Sequence, residues 1–358
     1  MKQKNERIIQ SFRHSITGES DLLGSETPSP LFPVIARLAA NLMTCDLSKM
    51  LSKRSMSVRR LIHPIIMLLL PAFMEYKQIF ESKNSLLGID APDTFAELPK
   101  EPVIWVANHG FKDDVAATLH VARHAYILFG SLPAFFNTLD GFSAYLNGVV
   151  MCNRKVKASK KASLKGAIKV LEMGTDMLIF PEGVWNKSPD KLILNLWPGI
   201  YHIAKETGCK IIPVIHYLAD PHKKYKENVI HTLVGNPISM DALSEKEGLE
   251  LIRNTMATWY YLMMERYGHT TREKLIEGFD SADEAWNSYI AMHTESIKYY
   301  DLEIELKADY RPNDIVRPEN VYKSISEINN VSPINADHVA FAQQIVSSEK
   351  KRDFQRLY

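Results

Sequence analysis

The 358-residue sequence predicts an α/β fold, a mixed sheet flanked by helices, and three observations carry that prediction. From about residue 101 to 235, short apolar runs bounded by Gly, Pro or Asn alternate with helix-like stretches, as in a layered α/β domain. Two of the runs, Pro102 to Ala107 and Leu178 to Phe180, pass directly into polar residues. The first is followed by Asn108-His109-Gly110-Phe111-Lys112-Asp113-Asp114 and the second by Pro181-Glu182-Gly183. Parallel strands place active sites at such carboxyl ends. The composition suits a packed core: 46% of residues are hydrophobic, and 43 basic residues balance 42 acidic ones. Neither general disorder nor nucleic-acid binding is expected from that balance.

Taken in order, residues 1–30 are polar, end in Thr27-Pro28-Ser29-Pro30, and are expected to form a flexible arm. The first residues lead into no apolar run of the kind a signal peptide needs. Residues 31–98 are expected to be N-terminal helices, with Ile35, Leu38, Ala39 and Leu42 at helical spacing. Leu61 to Met74 is apolar but shorter than the ~20 residues of a spanning helix, and it contains His63, Pro64 and Pro71. Two placements stay open. One is a helix packed on the domain. The other is a helix in the membrane interface, with Arg59 and Arg60 facing lipid phosphates. A loop with Gly88, Pro92 and Pro99 closes this region.

Residues 99–267 form the expected α/β domain. Strands are expected at 102–107, 126–130, 148–152, 176–180, 210–216 and 229–234, and helices at 113–124, 158–173 and 199–207. Gly174 is a C-terminal stop for the second of these helices. Gly235-Asn236-Pro237-Ile238 ends the last strand. Asp241 opens a long helix to Tyr267 that buries Leu243, Leu249, Ile252, Met256 and Trp259. Residues 268–358 read as a charged helical extension without a motif. Cys45, Cys152 and Cys209 are scattered, which suits a reducing cytoplasm, and no Cys/His cluster suggests a zinc site.

His109 is the residue with the chemistry for taking a proton from an attacking hydroxyl, because imidazole titrates near neutrality. A carboxylate is needed to hold its tautomer. Asp114 reaches it if the strand-to-helix turn folds back, and Asp113 is read as a helix N-cap. Glu182 can hold an acceptor hydroxyl or order a neighbouring base. Gly183 lets backbone approach a ligand. Arg154, after Gly148 to Cys152, is placed as a phosphate clamp. Pro213 in Ile211-Ile212-Pro213-Val214 suggests a sheet edge or bulge lining a pocket. Between Arg154 and Lys169 lie Lys155, Lys157, Lys160, Lys161 and Lys165. This cluster is either a solvated helix face or an attractor for coenzyme A phosphates, acidic lipid or an acidic carrier protein.

In order and spacing, Asn108-His109…Asp114, Gly148…Arg154, Phe180-Pro181-Glu182-Gly183 and Ile212-Pro213-Val214 resemble the four motif blocks of the glycerolipid (lysophospholipid) acyltransferases, over roughly residues 100–240. The resemblance implies an α/β acyltransferase fold preceded by helices. It implies transfer of a fatty acyl group from acyl-CoA or acyl-ACP to a lysolipid or polyol hydroxyl, with no acyl-enzyme and no other cofactor or metal. It further implies a peripheral enzyme on the cytoplasmic, inner face of a membrane. In that reading His109 is the base and Asp114 its partner, while Asn108, Lys112, Arg154, Glu182, Gly183 and Trp185 bind substrate. The chain departs from the family at Phe111, where many members have serine, and at Val184-Trp185-Asn186, where many have Thr-Arg-Ser. The missing arginine removes a phosphate contact that Lys112 or Lys187 would replace only as a point charge. Trp185 would instead cover an apolar or sugar-like acceptor. Two other readings compete: a catalytically drifted lipid- or carrier-binding module, and a metal-dependent hydrolase. The hydrolase would use His109, Asp113, Asp114 and Glu182, a set short of nitrogen ligands for zinc and of a carboxylate cage for magnesium.

Overall fold

The near-continuous apolar sequence of strand β2 (Ile104–Ala107) follows from its place in the sheet, where all of its residues are buried. The structure is a computed structural model. It describes residues 53–280 except 75, 89, 91–97, 112, 131–138, 153–156, 187–191, 219–228 and 269–276, together with Glu284 and Ser288. The arm expected over 1–30 and nearly all of the extension expected over 268–358 lie outside the described residues.

The other strands are β1 (Lys77–Phe80), β3 (Ala125–Gly130), β4 (Val149–Cys152), β5 (Asp176–Ile179), β6 (Ile211–Leu218) and β7 (Val229–Val234). Among the described residues they form one seven-stranded sheet in the order β1-β7-β6-β2-β5-β3-β4. Neighbours run parallel except β6 and β7, so the sheet is mixed, as expected. The helices are α1 (Lys53–Phe73), α2 (Lys83–Leu86), α3 (Asp114–Val121), α4 (Leu139–Asn147), α5 (Lys157–Glu172), α6 (Gly199–Thr207) and α7 (Glu245–Tyr267). Ile104 and Val106 point to a core shared with α5, α6 and α7. Trp105 and Ala107 point to the opposite core, shared with α3 and α4. That alternation is the period-2 signature of a strand covered on both faces.

Several expectations change. Residues 77–80, in the segment expected to be helical, form β1 and pair with β7, so the sheet begins before residue 99. Helix α4 was not anticipated. Helix α7 begins at Glu245 rather than near Asp241, because Ser244 and Glu247 form a reciprocal capping box. Pro213 is not at an edge, since β6 lies between β7 and β2. Its carbonyl faces Gly235, which donates its N–H to it at 2.7 Å, so the side without a proline N–H meets the end of β7 rather than its ladder. A Cβ on Gly235 would come within 3.2 Å of the proline ring.

Arg59 and Arg60 both bond to the domain. Arg59 donates to the carbonyls of Tyr145 and Leu146 in the last turn of α4. Arg60 donates to Gly174 O at 3.1 Å and Thr175 Oγ1 at 3.2 Å, just past the end of α5. A cation fits at the negative end of a helix, and these contacts fasten α1 to the domain. The other side of α1 stays open, with Leu61 77% and Leu68 80% exposed and Ile65 and Leu69 beside them. Among the described residues, no helix is long and apolar enough to cross a membrane.

Candidate active site

Sheet register brings the two polar motifs together. Strands β2 and β5 are parallel neighbours in which Val106 is paired with Ile179. His109 and Glu182 each follow three residues after that pair. Glu182 Oε1 accepts the His109 N–H at 2.8 Å, and its Oε2 accepts the Leu194 N–H at 2.8 Å. The carboxylate is buried and engages backbone amides through both oxygens. Of the two expected roles, this geometry matches ordering the base, not binding an acceptor hydroxyl. Gly183 adopts φ 76°, and its N–H closes the turn onto Phe180 O at 3.0 Å.

The chain leaving β2 folds back at once into α3, so Asp114 in the first helical turn meets the His109 ring. Asp114 Oδ2 accepts from His109 Nδ1 at 2.9 Å, from Gly110 N at 2.8 Å and from Phe111 N at 3.1 Å. Three donors and the helix N-terminus stabilise this fully buried carboxylate. Among the described residues, its Oδ1 has no hydrogen-bond partner. Asp113 occupies the N-cap position of α3 but makes no side-chain cap bond; its Oδ2 accepts the Tyr76 N–H at 3.1 Å.

The His109 carbonyl accepts the Asn186 N–H at 2.5 Å. The ring packs against Phe180 at 4.5 Å and edge-on to Trp185 at 5.9 Å between centroids. The Val184-Trp185-Asn186 turn therefore supports the histidine from the side. Trp185 is largely buried and borders the cavity described below. Asn108, expected to touch substrate, is buried instead. Its Nδ2 donates to His216 O at 2.9 Å and its Oδ1 accepts from His216 N at 2.7 Å. Lys112, Arg154 and Lys187 lie outside the described residues.

His109 opens on a cavity of about 740 Å³ that runs across the carboxyl ends of β3, β4 and β5. On the α1, α3 and α4 side its wall is apolar, with Leu70, Met74, Val115, Leu119 and Ala144. On the α5 and α6 side it carries Lys157, Lys160, Lys161 and Trp197. Trp197 is 49% exposed, and Lys160 Nζ lies 5.4 Å from the centre of its ring. Among the described residues, no carboxylate lies within ion-pair distance of Lys157, Lys160, Lys161 or Lys165.

Sequence reasoning missed His216. Burial depresses its imidazole to about 4, against a smaller opposing pull from the Asp114 charge. The available signal was a histidine inside the apolar run Ile211 to Leu218. Asn186 was also missed, because its contribution is a backbone N–H.

A family model described as Acyltransferase matches residues 91–217. Over 116 residues the chain is 29% identical to a 1-acyl-sn-glycerol-3-phosphate acyltransferase of Chlamydomonas reinhardtii, covering 32% of this chain and 34% of that protein. Over 225 residues it is 22% identical to the Arabidopsis thaliana 1-acyl-sn-glycerol-3-phosphate acyltransferase LPAT1, chloroplastic, covering 60% of this chain and 62% of that protein. The chain thus spans less than two thirds of either relative. The crystal structure of PlsC, the 1-acyl-sn-glycerophosphate acyltransferase of Thermotoga maritima, aligns with 75% of this chain and 99% of its own at 19% identity and a TM-score of 0.41. The family-model match contains His109, Asp114, Glu182 and Gly183, so the stretch that carries the site is similar to the Acyltransferase family and, in part, to the two curated acyltransferases.

Proposed function

We propose that this chain transfers a fatty acyl group from a thioester, acyl-CoA or acyl-ACP, to the free hydroxyl of a lysophospholipid, with 1-acylglycerol-3-phosphate as the acceptor suggested by the relatives' names. The observation that carries the reading is the 2.9 Å contact from His109 Nδ1 to Asp114, with the ring bordering the cavity. A carboxylate at Nδ1 holds the proton there and leaves the Nε2 lone pair as the base. Nε2 takes the hydroxyl proton as the oxygen attacks the thioester carbonyl, and Asp114 stabilises the imidazolium. Collapse of the tetrahedral adduct breaks the C–S bond, and the thiolate recovers the proton from Nε2. The products are an ester and a free thiol, with His109 regenerated. The apolar wall suits an acyl chain, and the lysine wall suits the phosphates or acidic surface of the donor's carrier. The exposed apolar side of α1 suits peripheral attachment to a membrane, on the cytoplasmic face in this proposal.

The test presents acyl-CoA and acyl-ACP to a panel of lysolipids and polyols and follows free thiol, with His109→Ala as the blank. Lysophosphatidate-dependent thiol release is expected. His109→Ala and Asp114→Ala should each lower kcat by on the order of 10²–10⁴-fold while circular dichroism is unchanged. Near-wild-type turnover in either variant refutes the mechanism. No thiol release with any acceptor favours a lipid- or carrier-binding module.

A further inference from the structure

His216, on β6, touches the catalytic turn at three points. Its backbone forms the two-way pair with Asn108, the residue before His109. Its ring lies edge-on to Phe111, at the tip of the turn, at 6.4 Å between centroids. Its Nε2 lies 2.7 Å from Thr118 Oγ1, one helical turn beyond Asp114. The ring is fully buried.

The hydrogen bonds around it run in one direction. Gln78 Nε2 can only donate, and it reaches Ala117 O and Thr232 Oγ1, both at 2.9 Å. The Ala117 carbonyl can only accept, which settles the orientation of that amide. Thr232 Oγ1 therefore accepts from Gln78, which leaves its own proton available for His216 Nδ1 at 2.9 Å. At the other end, Asp114 O can only accept, so Thr118 donates to it at 2.7 Å. Thr118 Oγ1 must then accept from His216 Nε2–H. The Thr118 end requires a proton on Nε2, and the Thr232 end, whose hydroxyl proton is free to meet a bare Nδ1, fits the same neutral tautomer.

We propose that His216 is a positioning residue for the catalytic pair: its Nε2–H, through Thr118, sets the first turn of α3 that presents Asp114 to His109, while its backbone holds Asn108 in register. A charged ring would lose the Thr232 donation and place in the core a cation that the Asp114 charge offsets only in part. An apolar ring would remove the donor that Thr118 accepts from and the acceptor that the Thr232 hydroxyl proton meets. A histidine that merely fills space makes no demand on which nitrogen is protonated and has no effect on turnover separate from stability.

The kinetic arm rests on the acyl-transfer reading; the tautomer arm does not. In the ¹⁵N-labelled wild-type protein, the His216 ring should show a protonated Nε2 and a bare Nδ1 from neutral pH down to about pH 5. A proton on Nδ1, or a charged ring near neutrality, overturns the proposal. Thr118→Val removes one hydroxyl at nearly constant volume. It should lower kcat by about 10- to 100-fold with both KM values within about twofold. The acidic limb of the pH–rate profile should move to lower pH, because a loosened Asp114 stabilises the imidazolium less. Thr118→Ser should restore most of kcat and return the limb. A folded Thr118→Val with wild-type kcat and pH profile, or a serine variant that restores nothing, overturns the proposal. If Thr118→Val does not fold, the wild-type tautomer decides. If the wild-type protein transfers no acyl group, the functional reading fails, and the tautomer still decides this one.

Discussion

His109 has one polar atom left for chemistry. Its N–H goes to Glu182, its carbonyl to Asn186 and its Nδ1 to Asp114, which leaves Nε2. The contact between the His109 and Asp114 side chains was legible in the sequence only because the companion segments, Phe180-Pro181-Glu182-Gly183 above all, accompany them; alone, the spacing fits an ordinary strand-end histidine. Asn108 was legible as a residue but not in its role, and Glu182 was legible with two roles that sequence could not separate. Sequence shows that a side chain is polar, and only packing shows that both its ends are occupied by backbone. His216 adds an expectation for stability. Its folded value is depressed from 6.5 to about 4 by burial. As pH falls through that window the unfolded chain takes a proton that the native ring refuses. The native state should therefore lose on the order of 3 kcal/mol between neutrality and the bottom of the window, and none of it above. Urea unfolding of wild type and His216→Gln at a series of pH values checks this. The variant should show a flatter decline, and equal slopes would contradict it.

At the level of elements, β1 and α4 were the ones hidden from the sequence. Lys77-Gln78-Ile79-Phe80 is a strand because β7 pairs with it, a tertiary cause that local propensity does not carry. Helix α4 contains Asp140 and Gly141, which break its helical pattern. Helix α5 was legible, and its lysines on the exposed side carry an expectation. Lys160→Glu, Lys161→Glu and Lys165→Glu together should raise the donor KM several-fold at low salt, with the effect fading as ionic strength rises. An unchanged KM at low salt removes this face from the donor's path. Helix α1 carries another. With Arg59 and Arg60 bonded to the domain, the apolar side of the helix at Leu61, Ile65, Leu68 and Leu69 remains for lipid. Leu61→Ser with Leu68→Ser should release the protein from sedimenting phospholipid vesicles, with kcat on detergent-dispersed substrate retained. Equal sedimentation of variant and wild type would show that this surface does not hold lipid.

Across the whole molecule, the α/β class was legible because strands covered on both faces need apolar runs, and those runs are dense in the sequence. The strand order was not, since nothing local says that β1 joins at β7 or that Pro213 sits inside the sheet. The cavity is a product of that order. It passes across the strand ends from the layer of α1, α3 and α4 to the layer of α5 and α6. In the proposed reaction, alcohol and thioester share this one cavity, and neither must depart before the other arrives. Initial-rate lines drawn at several set donor concentrations should intersect rather than run parallel, the mark of both reactants being held at once.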